Sequence, residues 1–439
     1  GCWACENICP KHCISMIEDE EGFLYPHVDL DNCIDCHLCE KVCPVANVEP
    51  EKKNEQHGFL LQIKDETIRK ESTSGGSFTA IASWVINQGG IVYGAAVDYS
   101  DFKVKHSAAT SLDELGKFRN SKYVQSEIGD TFKEIKKHLQ EGKWVAMSGT
   151  PCQIEGLVHY LRKPYDKLLL IDVVCYGIPS PGIFADYLTY MHSKIGGKFN
   201  KILFREKRLC YNYTSFSLFN EKPEFDYHKG VESDQFMRSF FSDMNVRPSC
   251  YDCKFKGFPR IADITIGDFW GGKNNPVYTK EFKKEFDNDL GTSVVIVNSQ
   301  KGLDYIDFAK TSMKIKEIPF ESVLPGNRAL IYPITSSTIN RDEFFKKLDK
   351  ESFSEVEKFY KTNRKVSLKQ HVKKILKRYY KLLKMYRLDI IAYLKLSSLN
   401  GFFNVFFSDK NLIMPLKYSV YKFTKFHRHL NLLPCRYLF

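Results

Sequence analysis

The stretch Cys33-Ile34-Asp35-Cys36-His37-Leu38-Cys39-Glu40-Lys41-Val42-Cys43-Pro44 decides how the first part of this chain must fold. Cys33, Cys36 and Cys39 are two residues apart, close enough for one short loop to wrap three thiolates around one centre. Cys43 follows after three residues and carries Pro44 behind it. This is the spacing of a run that holds an iron–sulfur cubane, in which the fourth cysteine crosses to a second cluster where there are two. A second run is therefore predicted. Cys2, Cys5 and Cys9-Pro10 repeat the last three cysteines of the pattern at the same intervals. The expected first cysteine would lie just before Gly1, so the spacing implies a chain cut at or inside that motif, with Gly1 not its natural start.

The crossover assigns the ligands. One [4Fe-4S] cluster takes Cys33, Cys36 and Cys39 with Cys9; the other takes Cys2, Cys5, the upstream cysteine and Cys43. Cys13 falls outside the ligand register and reads as a small buried residue, with substitution for the absent ligand as the alternative. Zinc also takes Cys-x2-Cys pairs, but it does not usually want three evenly spaced cysteines plus Cys-Pro, twice within 45 residues. Disulfides need an oxidising compartment and usually a small secreted domain; the length is wrong and no signal peptide is visible. The expectation is an α+β ferredoxin-like two-[4Fe-4S] domain over residues 1–50.

At 439 residues the chain has room for two or three domains. Fourteen cysteines beside cubane motifs point to a reducing cytoplasm. No stretch of about eighteen apolar residues is present, which argues against a membrane-spanning helix. The net charge of +11 is concentrated at one end. From Lys361 onward there are 18 Lys/Arg against 2 Asp/Glu, while the first 360 residues carry 46 against 51. That split sets a boundary near residue 350, and the polar run Glu51-Lys52-Lys53-Asn54-Glu55 sets another near residue 50. The expected domains are thus 1–50, a body over 51–345, and a basic, aromatic, helical tail over 346–439.

Short β-branched runs alternate with amphipathic segments through the body, the pattern of an α/β domain. Ser74-Gly75-Gly76 opens a predicted helix through Asn87, closed by Gly89-Gly90. Ser111-Leu112-Asp113-Glu114 reads as the capping box of a following helix. Ile91–Val97, Trp144–Met147, Leu168–Val174, Ile261–Ile266 and Val294–Val297 read as strands. Ser74-Gly75-Gly76 and Ser148-Gly149-Thr150 are glycine turns ahead of helices, places where backbone N–H groups favour an anion, although most glycine turns are only turns. Cys152 and Cys175 each follow a buried strand and can share one edge of a parallel sheet. Cys250-Tyr251-Asp252-Cys253 is a loop pair with metal-ligand or redox spacing. The four make either a further four-thiolate site, or two buried fillers and a zinc pair.

Several motifs occur in register: Ser74-Gly75-Gly76, Ser121-Lys122-Tyr123-Val124-Gln125-Ser126, Gly149-Thr150-Pro151-Cys152-Gln153, Cys175-Tyr176-Gly177-Ile178-Pro179-Ser180, Cys250–Cys253 and Ala262–Gly271. Together they resemble the coenzyme F420 hydrogenase/dehydrogenase beta-subunit family, over roughly residues 1–330. The resemblance implies an iron–sulfur flavoprotein with an α/β FAD-binding body. It implies a third cluster on Cys152, Cys175, Cys250 and Cys253. It also implies FAD contacts at Ser74, Gly75, Gly76, Lys122, Tyr123, Gln125 and Ser126, to which the turn adds Gly149 and Thr150. The implied activity is electron exchange between clusters and FAD to reduce or oxidise a small-molecule hydride partner, with a link to surface-polysaccharide biosynthesis rather than to the deazaflavin. The competing readings are an electron-transfer subunit serving a partner enzyme and a deazaflavin (F420)-dependent dehydrogenase. His106, His138 and His159 are general acid–base candidates only by being present.

The tail reads differently. Val372, Ile375, Leu376, Tyr379, Leu382, Leu383 and Tyr386 recur at helical spacing among lysines and arginines. That pattern suits peripheral contact with the inner face of an anionic membrane, or a solvated helical appendage. No recognised motif supports nucleic-acid binding.

Overall fold

A computed structural model of the chain describes residues 1–47, 55–208, 210–270, 275–335, 341–348 and 353. The polar bridge after residue 50 lies largely outside the described residues, and the basic tail does so beyond Phe353. Gly1–Arg364 forms one compact unit, within which all the described residues fall.

The ferredoxin-type segment comprises α1 (Ala4–Ile8), β1 (Ile14–Glu18), β2 (Leu24–Val28) and α2 (Leu38–Lys41). β1 and β2 pair antiparallel from Ile14↔Val28 to Glu18↔Leu24. The repeated cysteine run gives repeated backbone. Each short helix starts after a left-handed residue following a cysteine, Trp3 at φ 65° after Cys2 and His37 at φ 56° after Cys36.

The body begins with β3 (His57–Ile63), α3 (Glu66–Glu71), α4 (Ser77–Asn87), β4 (Ile91–Asp98), β5 (Lys103–Ala109) and α5 (Thr131–Gln140). It continues through β6 (Val145–Gly149), α6 (Pro151–Leu161), β7 (Leu168–Val173), α7 (Pro181–Ile195), β8 (Phe199–Glu206), β9 (Ser215–Asn220), β10 (Tyr227–Gly230) and α8 (Gln235–Phe241). β11 (Ile264–Asp268), α9 (Lys280–Phe286), β12 (Ser293–Val297), α10 (Gln300–Ala309), β13 (Met313–Ile318) and α11 (Arg341–Leu348) complete it. Eight strands form one sheet in the order β13-β3-β12-β11-β7-β6-β4-β5. Its middle, β4-β6-β7-β11, is parallel. The flanking strands are antiparallel, so the expected parallel sheet is the centre of a mixed one.

The parallel strands are buried on both faces, which is why they read as unbroken apolar runs. Val92, Ala146, Leu169 and Ile171 face the core under α4 and α10, while Ile91, Tyr93, Val145, Met147, Leu168 and Leu170 face α5 and α6. β8, β9 and β10 form a second antiparallel sheet, packed with α7 and α8 around Phe184, Phe204, Phe216 and Phe236.

α4 behaves as its glycines require. Gly76 takes φ 81° at the N-cap, Gly89 takes φ 69°, and Gly90 N–H reaches Val85 O at 2.9 Å to close the helix. The capping box at Ser111 starts only a 3₁₀ turn, Asp113–Phe118. Glu114 reaches past Ser111 to accept from Thr110 N–H at 2.7 Å, and Gly116 weakens the short run that follows.

Below the parallel strands Arg260 Nη1 donates to Asp172 Oδ2 at 2.8 Å, with side chains 4% and 3% exposed. Removing one partner leaves an uncompensated buried charge. Arg260→Leu is therefore expected to destabilise the chain by about 3–5 kcal/mol in denaturant unfolding, and Arg260→Leu with Asp172→Leu to recover much of that loss.

Candidate functional site

The cysteines fall into three groups. Cys2, Cys5 and Cys43 lie together: the charge of Cys43 acts on both Cys2 and Cys5, whose thiols burial pushes up, Cys5 to about 11. Cys9, Cys33, Cys36 and Cys39 belong to the outer side, where Cys33 and Cys36 are exposed. Cys13 is buried with this outer group, its Sγ 3.4 Å from Cys9 Sγ. That hydrogen bond holds the Cys13 thiol up at about 11, so Cys13 keeps its proton and can donate to Cys9.

The third group is Cys152, Cys175, Cys250 and Cys253. β6 and β7 are adjacent and parallel, so the residues that leave them emerge at the same sheet edge. Cys152 enters the first turn of α6 and Cys175 follows β7 directly. α6 is fixed there by Pro151 at its first position and by Gln153 Oε1 accepting from Thr150 N–H at 3.0 Å. Burial first, then the charges of Cys250, Cys152 and Cys253, raise the Cys175 thiol. Burial and Cys152 push Cys250 up to about 12. Four half-buried thiols gathered at one edge are a donor set suited to a cationic core. Among the described residues no three metal-binding side chains close around a single ion; a cubane holds its four thiolates farther apart than tetrahedral zinc does. Four thiols are a donor set that an iron–sulfur cluster or a tetrahedral zinc can take.

The first and third groups meet through α6. Cys152 and Gly156 are four residues apart and share one face, about 6 Å along the axis. A Cβ on Gly156 would lie 2.6 Å from Cys2 Cβ and 3.0 Å from its Sγ. Only glycine lets Cys2 rest against that helix. A second contact fixes the hairpin. Gly182 N–H donates to Gly22 O at 3.1 Å, Ser180 Oγ donates to Glu21 O at 2.7 Å, and Arg341 pairs with Glu21 through both of its terminal nitrogens.

Beyond Cys175 opens a cleft of about 570 Å³. Ser74, Gly76, Lys122, Tyr123, Gln125, Ser126, Gly149 and Thr150 all line it. Three hydrogen bonds draw their segments together: Ser121 N–H donates to Thr73 Oγ1 at 2.6 Å, Gln153 Nε2 to Ser126 Oγ at 2.9 Å, and Ser74 Oγ to Thr292 O at 2.7 Å. Gly75 does not line the cleft. It is wedged between strands, where a Cβ would meet Leu61 O at 2.2 Å and Ser293 N at 2.5 Å. Of the three histidines only His106 reaches the cleft. Its Nε2 bonds Ser148 O at 3.0 Å, and burial holds its pKa down to about 4. His138 bonds Tyr93 Oη at 3.1 Å, and His159 is buried on α6.

Two cleft arginines, Arg205 and Arg119, carried no signal in the sequence. Arg205, at the end of β8, is bracketed by Asn120 and donates to Tyr123 Oη and Asp268 Oδ2, each at 3.2 Å. Trp270 lies over its guanidinium at 5.4 Å and stacks on Tyr211 at 5.6 Å. Asp268 and Trp270 sit inside Ala262–Gly271 and were readable as a motif, whereas Arg205 is a lone arginine in an ordinary strand. Lys122 Nζ donates only to the carbonyls of Lys117 and Arg119, and desolvation pushes its pKa down to about 7. His106 Nδ1, Gln125 Nε2 and Arg119 Nε line the cleft buried and without partners.

Residues 142–323 match the family described as coenzyme F420 hydrogenase/dehydrogenase, beta subunit (C terminus), and residues 1–47 match a 4Fe-4S dicluster domain. The chain thus joins a segment of the coenzyme F420 hydrogenase/dehydrogenase beta-subunit type to a 4Fe-4S dicluster segment. Within this family-type body and its dicluster domain lie all three cysteine groups. The chain is 23% identical over 181 residues to an F(420)H(2) dehydrogenase subunit from Methanosarcina mazei, covering 39% of this chain and 51% of that one. It is 37% identical over 59 residues to Ferredoxin-1 of Caulobacter vibrioides, covering 13% and 48%. It thus spans about half the length of these two relatives. A chain of the F420-reducing [NiFe] hydrogenase complex from Methanosarcina barkeri superposes with a TM-score of 0.42 at 16% identity, over 64% of this chain and 89% of that one.

Alanine in place of a helix-interior glycine normally stabilises by about 0.5–1 kcal/mol. Gly156→Ala is expected to reverse that sign, destabilising by about 1–3 kcal/mol through overpacking against Cys2. Equilibrium unfolding decides it; a stabilised variant would place Cys2 elsewhere.

Proposed function

We propose that this chain is an iron–sulfur flavoprotein oxidoreductase that passes electrons between two ferredoxin-type clusters, a third cluster in the body and FAD in the cleft, to reduce or oxidise a small-molecule partner. One observation carries the reading: the cysteine groups form an unbroken series from exposed Cys33 and Cys36 through Cys2 to Cys152 and Cys175, which opens on the cleft. FAD, when bound, supplies the exchange between two-electron hydride transfer and the single electrons that cubanes carry. Cys152, Cys175, Cys250 and Cys253 are the residues that would hold the third cluster.

The cleft residues have separable tasks. Lys122 supplies a cation that has no carboxylate of its own among its hydrogen-bond partners, and so suits an anionic part of the cofactor. Because its Nε2 faces a carbonyl oxygen, His106 carries its proton there, and its neutral ring leaves Nδ1 as an acceptor. Gln125 Nε2 and Arg119 Nε remain as donors. Arg205, held by Asp268 and Tyr123, fixes the far wall rigidly, and exposed Trp270 offers a flat apolar surface beside it. Gly75 acts through the fold, packing its backbone against β3 and β12 at the end of their pairing. Surface-polysaccharide biosynthesis as the setting rests on the family resemblance, and membrane contact on the composition of a tail outside the described residues.

A second reading, an electron-transfer subunit serving a partner enzyme, is favoured by the surface around the outer cysteines. Leu30 and Ile34 are exposed there beside Cys33 in the chain, apolar side chains at which a partner can approach the cluster closely.

Iron, sulfide and flavin measured on one anaerobic preparation separate the readings. The expected content is about twelve irons for three cubanes, with one FAD per chain. About eight irons without flavin would remove the body from the chemistry. Lys122 gives a finer test. A cation with a pKa of about 7 in the free protein binds an anion best when protonated, so FAD affinity is expected to fall as pH rises above about 7. Lys122→Met should weaken FAD binding by about 1.5–3 kcal/mol below that pH and flatten the pH dependence. Flavin fluorescence titration reads both, and an unchanged profile would remove Lys122 from the site.

A further inference from the structure

Arg247 is 3% exposed and lies where the ferredoxin-type segment meets the body. Its Nη1 donates to Leu24 O at 2.9 Å and to Gln125 Oε1 at 3.1 Å, and its guanidinium sits 3.7 Å from the centre of the Tyr25 ring. All three partners are neutral. The other buried arginines behave differently: Arg69, Arg205 and Arg260 each pair with a carboxylate, Glu66, Asp268 and Asp172. Among the described residues no carboxylate pairs with Arg247. A buried cation without an anion is costly, so its position calls for a negative partner of another kind.

Two thiol groups flank it. Arg247 N–H donates to Ile178 O at 2.9 Å, and Arg247 O accepts from Cys250 N–H at 2.9 Å, so its backbone opens the turn that places Cys250. On the other side, a Cβ on Gly1 would lie 3.8 Å from Arg247 Nε, next to Cys2 in the chain. A cubane carried by four thiolates is net anionic, and each one-electron reduction adds a negative charge without making or breaking a bond.

We propose that Arg247 is the counter-cation shared by the clusters on Cys2/Cys5/Cys43 and on Cys152/Cys175/Cys250/Cys253, and that it raises the reduction potential of both. This rests on the reading of the chain as a cluster-bearing oxidoreductase. Arg247 makes no described contact with Cys9, Cys33, Cys36 or Cys39, so the outer cluster does not share it. An electron arriving there from a partner therefore runs downhill to the junction before it reaches the cleft. Because a guanidinium stays protonated at all working pH values, the bias is independent of pH.

The test is a redox titration of the full chain, monitored by electron paramagnetic resonance after iron and sulfide have been counted. Arg247→Gln is expected to lower the potentials of the two inner clusters by tenfold or more in the one-electron equilibrium, which is about 59 mV, and to leave the outer one in place. Arg247→Lys, which keeps the charge, should restore most of the shift. If Arg247→Gln sheds its clusters, Gln125→Glu places a carboxylate against the intact arginine and should lower the same potentials. Inner potentials unmoved in a variant with full iron content would overturn the proposal, as would an equal shift at all clusters. An iron count of about eight in the unaltered chain would sink the body cluster instead; the Cys2 cluster would then still report on Arg247.

Discussion

The approach of Cys2 to Gly156 is the contact on which the rest of this structure depends. A glycine in the middle of a helix costs stability, because it loses more backbone freedom on folding than any other residue. α6 carries one at the point where a Cβ would stand 2.6 Å from Cys2 Cβ. The same face of the helix, one turn earlier, carries Cys152. One close approach therefore brings a ferredoxin-type thiol within about a helical turn of a body thiol. The paired glycines at Gly22 and Gly182 and the cation Arg247 hold that alignment at two further places.

Beyond the junction the architecture concentrates unbalanced polarity in one cleft. The parallel strands β4, β6, β7 and β11 deliver loops to a common edge, where ligands bind in open α/β sheets. Lys122 is desolvated there with only carbonyls for company, and three polar atoms are buried without partners. These groups leave a cation, two donors and one acceptor open in the same cleft. By contrast the opposite wall, Arg205 with Asp268 and Tyr123, is satisfied internally and rigid.

Much of this was legible in the sequence, for identifiable reasons. Cysteine spacing is dictated by the geometry of a cluster, so the two ferredoxin-type groups could be written down before any fold was known; spacing left Cys152, Cys175, Cys250 and Cys253 open, and only the family resemblance joined them. Strands buried on both faces leave unbroken apolar runs, and five of them were placed to within a few residues. The mixed character of the sheet was not legible, since β5, β12 and β13 run against the central strands and a strand's direction leaves no mark in its composition. Ser111–Glu114 misled because a capping box says where a helix can start, not whether the residues after it will sustain one. Gly75 was read as a cofactor contact because its glycine turn lies in the right motif; the requirement it meets is the narrow gap between two strands. Arg205, Arg247 and Gly156 were invisible for a common reason. Each draws its meaning from a residue distant in sequence, Asp268, Leu24 or Cys2, and no local pattern records such a pairing.

The most direct test of the account is the magnetic interaction between reduced clusters in the intact chain. If the Cys2 group and the Cys152 group each hold a cubane in contact across α6, full reduction should give spectra broadened and split by spin–spin coupling. The coupling should be absent in samples reduced by one electron. Independent, unbroadened signals at full reduction, with the clusters shown to be present, would mean that no two clusters lie across α6, and the electron path described here would be wrong.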